Sequence, residues 1–218
     1  MNPQAFAAFG VAAVFALGDW VSRARDTASA TWQRVEYVCK PATLAALIAA
    51  AVMLDPVHGA GARRGWFVAA LVFSLAGDVL LMLPAEQFVG GLAAFLVGHL
   101  CYIAGMWTHG PGIGGFVVAL VLVGAIIGAL GRRILPAARA HDRALVGPVG
   151  AYMAVIGVMV ATAVATGNPA AGVGAVLFAG SDTMIAWDRF VGEFDAASVL
   201  IMVTYHLGQA GLVLSLLR

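Results

Sequence analysis

Residues 113–130 read IGGFVVALVLVGAIIGAL and contain no charged side chain. At about 1.5 Å per residue, a helix of this length covers most of a bilayer's hydrocarbon core, which is about 30 Å thick. The same character extends along all 218 residues, of which 62% are hydrophobic and 11% charged. Soluble domains average about 45–50% apolar and about 25% charged residues. We therefore predict that residues 1–218 form one integral membrane domain, not a soluble domain with one anchor.

Eight apolar segments are long enough, some only just, to cross the bilayer. The predicted fold is all-α: a polytopic membrane protein built as a bundle of eight transmembrane helices. The predicted spans cover roughly residues 4–22, 40–55, 66–84, 91–108, 113–130, 145–166, 170–188 and 197–217. The second span begins at Lys40-Pro41, and proline suits a first helical turn.

Basic residues are unevenly distributed between the two sides of this arrangement. One side carries nine of the 12 basic residues: Arg23, Arg25, Arg34, Lys40, Arg132, Arg133, Arg139, Arg143 and Arg189. The other side carries Arg63, Arg64 and Arg218. Because basic loops stay in the cytoplasm, both termini are predicted on the non-cytoplasmic side. The composition is typical of a bacterial protein, so the expected location is the cytoplasmic membrane.

Ionisable side chains inside the spans gather in the cytoplasmic half of the membrane. Such a residue costs about 2.5–3.5 kcal/mol on insertion scales and is a functional candidate by default. Asp78 and Asp182 each lie in an otherwise apolar helix, about 9 Å below the cytoplasmic boundary. His99 and His206 lie about 12–15 Å deep. Asp78 and Asp182 have no lysine or arginine within a turn, which makes them the strongest candidates for a site.

The other ionisable residues also have structural interpretations. Asp19 and Lys40 lie at the cytoplasmic ends of spans one and two, where an interfacial ion pair is favoured over chemistry. A lone histidine such as His99 is more often a hydrogen-bonded packing residue than a ligand. Tryptophans near span ends, such as Trp20, are expected to anchor the protein at the membrane interface.

Four stretches around these residues match one family in order. They are FSLAGDVLLML at 73–83, FLVGHLCYI at 95–103, LFAGSDTMIAWDRF at 177–190 and VTYHLGQ at 203–209, and Lys40-Pro41 precedes them. The chain thereby resembles the YhhN-type lysoplasmalogenase family of multi-span membrane hydrolases over nearly its full length. The resemblance implies hydrolysis of the vinyl-ether bond of lysoplasmalogens, which yields a fatty aldehyde and glycerophosphocholine or glycerophosphoethanolamine.

The resemblance also implies roles for individual residues. Asp78 and Asp182 fall at the positions of the expected catalytic pair. The positions expected around the substrate are Lys40, His99, Tyr102, Ser181, Arg189, Tyr205 and Gln209. Asp188 and His206 stand where other residues are expected, so neither inherits a role.

Two carboxyl groups suit this chemistry. Protonation of the vinyl-ether β-carbon gives an oxocarbenium-like cation, which water attacks, and the hemiacetal collapses to aldehyde and alcohol. One group must still be protonated at neutral pH and another must be anionic, and two carboxyl groups in one low-dielectric pocket can hold both states. Asp182 is preferred as the acid and Asp78 as the ionised partner, because Lys40 can keep Asp78 charged. The chain has no G-x-S-x-G motif, so no serine nucleophile is expected.

Two other functions remain open from the residues alone. A metal-dependent intramembrane lipid hydrolase would use Asp78, Asp182, His99 and His206 as ligands, although no motif places two of them on one helix face. A proton-coupled transporter would use the aspartates as a relay, but the halves show no matching broken helices.

The expected partners are a lysophospholipid substrate and the lipid bilayer. No basic stripe with interleaved aromatic residues suggests nucleic acid. No cofactor or metal is predicted, and the sequence leaves the oligomeric state open.

Overall fold

The computed structural model describes residues 1–25, 29–54, 61–83 and 87–217. Within these ranges the chain is all-helical without a β-strand, and eight helices are long and apolar enough to cross a membrane. This confirms the predicted fold class and the number of spans. The predicted span ends at residues 55 and 84, and Arg218, lie outside the described residues.

The helices follow the predicted spans closely. They are α1 (Pro3–Arg23), α2 (Ala30–Met53), α3 (Gly61–Met82), α4 (Phe88–Trp107), α5 (Ile113–His141), α6 (Val146–Ala165), α7 (Pro169–Phe190) and α8 (Ala197–Leu214). Short 3-10 turns cover Arg143–Leu145, before α6, and Ser215–Leu217, after α8.

Two helices are longer than predicted. Helix α2 begins at Ala30, so Pro41 lies inside the helix and its placement in a first turn is wrong. The preceding ten residues contain neither glycine nor proline and continue the helix outward, and transmembrane helices tolerate an internal proline. Helix α5 continues to His141 through GRRILPAARAH, where alanine, arginine and leucine favour a helix. Arg132 and Arg133 therefore belong to a helix and not to a connection.

The helices pack in antiparallel pairs, α1 with α2, α3 with α4, α5 with α6 and α7 with α8. Their backbones approach most closely at glycine residues. On α7, a Cβ added at Gly174 would lie 2.7 Å from the backbone nitrogen of Leu212 and 2.8 Å from the carbonyl oxygen of Gly208. On α4, a Cβ at Gly98 would lie 3.1 Å from the carbonyl oxygen of Ala70 on α3. Because lipid is as apolar as leucine, helix association in membranes depends on such close backbone approach.

The bundle has a clear interior and one peripheral helix. Helix α8 contacts α7, α1 and α2, while α4 contacts α3 and α6, so residues of α3, α4, α6, α7 and α8 meet in the core. Helix α5 packs mainly on α6 and leaves most of its apolar side chains exposed, as expected for a helix that faces lipid. None of the candidate site residues lies on α5.

The close crossing of α7 and α8 makes a testable prediction. Gly174→Ala should lower the free energy of unfolding of the detergent-solubilised protein by about 1–3 kcal/mol, because the new methyl group overlaps backbone atoms. Gly124→Ala in α5 is the matched control, since no described atom lies within 4 Å of its added Cβ. Thermal unfolding followed by circular dichroism compares both. A G174A variant as stable as wild type would contradict the crossing.

Candidate active site

One carboxyl group lies at the wall of an intramembrane cavity. Asp182 on α7 accepts a hydrogen bond at 2.6 Å from the Tyr152 hydroxyl of α6, through Oδ2. Nε2 of His99, on α4, lies 3.2 Å from the same oxygen and 3.4 Å from the Tyr152 hydroxyl. His99 is fully buried and the Asp182 side chain is 9% exposed. Three helices thus bring a carboxyl group, an imidazole and a phenol together.

The cavity beside Asp182 is otherwise apolar. Side chains from α3, α4, α5, α6 and α7 line it, and its polar lining residues are Asp182, Tyr152 and Thr183. It extends from Phe88 and Phe190, at the ends of α4 and α7, to Ile127 and Ile156, well inside α5 and α6. A ligand in this cavity would be surrounded by hydrocarbon and would face a single carboxyl group.

The second carboxyl group lies in a separate, charged cluster. Asp78 on α3 is 2% exposed; its Oδ1 lies 3.0 Å from the ammonium of Lys40 on α2, and its Oδ2 accepts a hydrogen bond at 2.8 Å from Tyr205 on α8. Lys40 itself is 7% exposed. The carboxyl group of Asp78 therefore has a side-chain partner for each of its two oxygens.

Aromatic contacts connect the second carboxyl group to the cavity. Phe95 lines the cavity and contacts Tyr205, the hydrogen-bond donor to Asp78, with ring centroids 5.9 Å apart. A Cβ at Gly77 would lie 2.6 Å from the Phe95 ring, so only glycine fits beside Asp78 at this point. The Asp78 cluster is therefore joined to the cavity wall through Tyr205 and Phe95.

The remaining predicted positions surround these clusters at different distances. Tyr102 donates a hydrogen bond to Oε1 of Gln209, and both side chains are fully buried. Ser181 is also fully buried, and its hydroxyl has no hydrogen-bond partner among the described residues. Arg189 lies near the C-terminal end of α7, with its guanidinium carbon 4.0 Å from the ring centroid of Phe88. Of the seven, only His99 and Tyr205, besides Lys40, contact an aspartate of the pair in the described contacts.

The structure decides between the two partners expected for Lys40. Lys40 forms its ion pair with Asp78, as the assignment of Asp78 as the ionised partner expects, and not with Asp19. Asp19 instead lies 3.4 Å from Nε of Arg23, whose Nη2 is 2.8 Å from Glu36. Besides its place near the end of α1, Trp20 donates its indole N–H to Nδ1 of His206 at 3.1 Å.

The ligands of the metal alternative do not come together. His206 faces Trp20, Asp78 is held by Lys40, and His99 and Asp182 form a pair. Within the described parts of the chain, no group of three or more histidine, cysteine, aspartate or glutamate side chains is placed to hold a metal ion.

A buried charge also lies at the opposite end of the bundle. Arg63, predicted in a connection, is within α3, is 5% exposed and donates a hydrogen bond to Ser215 at 3.2 Å. The sequence analysis placed the buried charged residues in one half of the membrane, and Arg63 is an exception to that prediction.

Tyr152 is a candidate site residue that the sequence reasoning missed. Tyrosines in membrane proteins are expected near the interfaces, and span six has no acidic or basic residue to draw attention to it. Its depth is the signal that could have found it. Tyr152 is six residues inside α6, which places it about 9 Å from the helix start and at a depth similar to that of Asp182.

The fold defines a polytopic α-helical membrane protein, and its buried carboxyl groups form a candidate site within the spans. The chain belongs to the YhhN family, whose family model matches residues 35–216.

Curated relatives carry a common name. Lysoplasmalogenase from Mycobacterium bovis is 35% identical over 171 residues, which is 75% of this chain and 64% of that protein. Lysoplasmalogenase TMEM86B from Homo sapiens is 37% identical over 152 residues, or 68% of this chain and 62% of that protein. The TMEM86B of Mus musculus is 32% identical over 86% of this chain and 77% of its own length. The alignments with the first two span less than two thirds of those proteins, and no solved structure matches.

The Lys40–Asp78 pair predicts a stability effect. Lys40→Met leaves the Asp78 carboxylate buried without its counter-charge and should cost about 3–5 kcal/mol of unfolding free energy. Lys40→Met combined with Asp78→Asn removes both charges and should recover most of that loss. Thermal unfolding in detergent measures the effect, with Arg139→Met as an exposed control that should change stability by less than about 0.5 kcal/mol. A double variant no more stable than Lys40→Met would refute the pairing.

Proposed function

We propose that this protein is a lysoplasmalogenase that cleaves the vinyl-ether bond of its substrate by aspartate acid–base catalysis within the membrane. The products are a fatty aldehyde and glycerophosphocholine or glycerophosphoethanolamine. The observation that carries the proposal is a carboxyl group, Asp182, at the wall of an apolar intramembrane cavity, with a second carboxyl group, Asp78, ion-paired nearby. Membership of the YhhN family and the name shared by the curated relatives support it.

The surroundings of the two carboxyl groups suit different roles. Asp78 has a cationic neighbour, Lys40, which suits it to the role of the anionic group. Asp182 faces the cavity, and its described side-chain partners are Tyr152 and His99, with no lysine or arginine among them. Because Asp182 is the carboxyl group that a bound vinyl ether would meet, we assign it as the acid and Asp78 as the anion.

The reaction proceeds in three steps. Asp182 gives its proton to the β-carbon of the vinyl ether, and the electrons of the double bond move to produce an oxocarbenium ion. Water attacks the cationic carbon and returns a proton to Asp182, which forms a hemiacetal. The hemiacetal hydroxyl loses its proton, the leaving glycerol oxygen gains one, and the carbon–oxygen bond breaks to release aldehyde and alcohol.

Asp78 contributes as a fixed negative charge. It does not need to touch the substrate, because charges interact strongly across a low-dielectric interior. Lys40 holds it in place and Tyr205 fixes its second oxygen. Lys40 therefore influences the reaction through Asp78, and Arg189 is the residue that we propose contacts the lipid headgroup.

The position of the cavity suits a lysolipid. Asp182 lies eight residues, about 12 Å, from the end of α7, which is close to the depth of a bond just below a lipid headgroup. The apolar lining around Ile127 and Ile156 suits the alkenyl chain. We also infer that the basic ends of the helices face the cytoplasm, with both termini outside, in the cytoplasmic membrane.

The direct test is release of fatty aldehyde from lysoplasmenylcholine and lysoplasmenylethanolamine by detergent-solubilised protein. Wild type should release aldehyde, and Asp182→Asn should lose activity by about 10²–10⁴-fold because the general acid is gone. Asp78→Asn should lose about 10²–10³-fold, because the cation loses its stabilising charge.

Asp195→Asn, a change at an exposed aspartate, is the control and should retain full activity. Activity insensitive to EDTA would agree with acid–base chemistry, whereas loss in EDTA would favour a metal. A folded wild-type protein that releases no aldehyde from either substrate would sink the assignment and favour proton-coupled transport.

Tyr152 has a separate test. Tyr152→Phe removes the hydroxyl that donates to Asp182 and should lower kcat about tenfold with little change in KM, the effect of losing one charge-assisted hydrogen bond. Tyr37→Phe is the control, because Tyr37 is 46% exposed and donates only to the carbonyl oxygen of Met82. Steady-state kinetics compare the two. An unchanged kcat in Y152F would show that the hydroxyl is dispensable.

A further inference from the structure

At one end of the cavity, two phenylalanine rings contact the guanidinium of Arg189. Phe88, the first residue of α4, and Phe190, the last of α7, both line the cavity and pack edge to face, with centroids 5.8 Å apart. The guanidinium carbon of Arg189 lies 4.0 Å from the Phe88 centroid and 5.9 Å from that of Phe190. His141 packs against the Phe190 ring at 5.9 Å. These rings lie where a lipid headgroup would meet the cavity.

The distance from the acid matches the size of a lysolipid headgroup. Phe190 follows Asp182 by eight residues, which is about 12 Å along the helix axis. In a lysoplasmalogen, eleven covalent bonds separate the vinyl-ether β-carbon from the headgroup nitrogen, and such a chain spans about 10–14 Å. With the β-carbon at Asp182, the nitrogen therefore reaches the two rings.

We propose that Phe88 and Phe190 form a subsite for the quaternary ammonium group of a choline headgroup, and that Arg189 binds the adjoining phosphate. The proposal rests on the proposed function and deepens it by naming the headgroup class. Ring faces attract weakly hydrated cations, and quaternary ammonium ligands are the usual example. The primary ammonium of ethanolamine instead needs hydrogen-bond acceptors for its three N–H groups, which two phenylalanine rings do not supply.

Arg189 connects the two halves of this subsite. An arginine binds phosphate through two parallel charge-assisted hydrogen bonds, which are stronger than its contact with a ring. Bound phosphate therefore draws the guanidinium away from Phe88 and leaves that ring face to the trimethylammonium group. The exchange of one cation for another keeps the rings occupied and adds a phosphate contact.

The experiment measures headgroup preference in leucine variants. Phe88→Leu and Phe190→Leu keep the apolar bulk but remove the aromatic face. The ratio of kcat/KM for lysoplasmenylcholine to that for lysoplasmenylethanolamine should fall about 5–10-fold in each. Phe116→Leu is the matched control: Phe116 packs edge to face on Trp107, at the other end of α4, with centroids 5.4 Å apart. Its ratio should equal that of wild type.

A binding measurement separates this proposal from the proposed reaction. A saturated 1-O-alkyl-glycerophosphocholine has the headgroup but no vinyl ether, and its binding is compared with that of the ethanolamine analogue. The choline analogue should bind wild type more tightly, and F88L should lose most of that difference. Equal losses for both headgroups, or the same loss in F116L, would overturn the subsite. Choline selectivity in a wild type that releases no aldehyde would uphold the subsite while the proposed reaction fails.

Discussion

The ion pair between Lys40 and Asp78 is a buried charged contact that joins two helices inside the bundle. Each charge alone would be costly in the membrane, so the 3.0 Å approach and the hydrogen bond from Tyr205 must be maintained together. The three residues come from α2, α3 and α8, which fixes these helices relative to one another. Close packing at the glycines of α3–α4 and α7–α8 then brings α4 and α7 to the same centre.

That constraint gives the two aspartates unequal surroundings. Asp78 is matched by a cation, whereas Asp182 meets only a phenol and an imidazole at the edge of an apolar cavity. The two aspartates are chemically identical, but their neighbours give Asp78 and Asp182 different electrostatic environments. The proposed acid and the proposed anion follow from this difference in neighbours and not from the residues themselves.

The span pattern and the cost of intramembrane charge were enough to predict eight helices and to single out Asp78 and Asp182. The partners of those residues were harder to predict. The sequence offered both Asp19 and Asp78 as partners of Lys40, and only the packing of α2 against α3 selects Asp78. Tyr152 was missed because an uncharged side chain does not disturb the hydropathy of span six. Which helix faces which depends on packing between distant segments, and one sequence contains no direct record of that.

The proposed anion, Asp78, does not line the cavity, and this separation from the reacting carbon favours hydrolysis. A free carboxylate in contact with an oxocarbenium ion can capture it covalently, as the nucleophile of retaining glycosidases does. Phe95 lines the cavity and contacts Tyr205, whereas Asp78 is absent from the cavity lining, so the proposed anion acts on positive charge without contact with the reacting carbon. Once Asp182 has given up its proton, the Tyr152 hydroxyl still donates a hydrogen bond to its oxygen and reduces its nucleophilicity. Water is then the group best able to attack, and hydrolysis is favoured over capture by the enzyme.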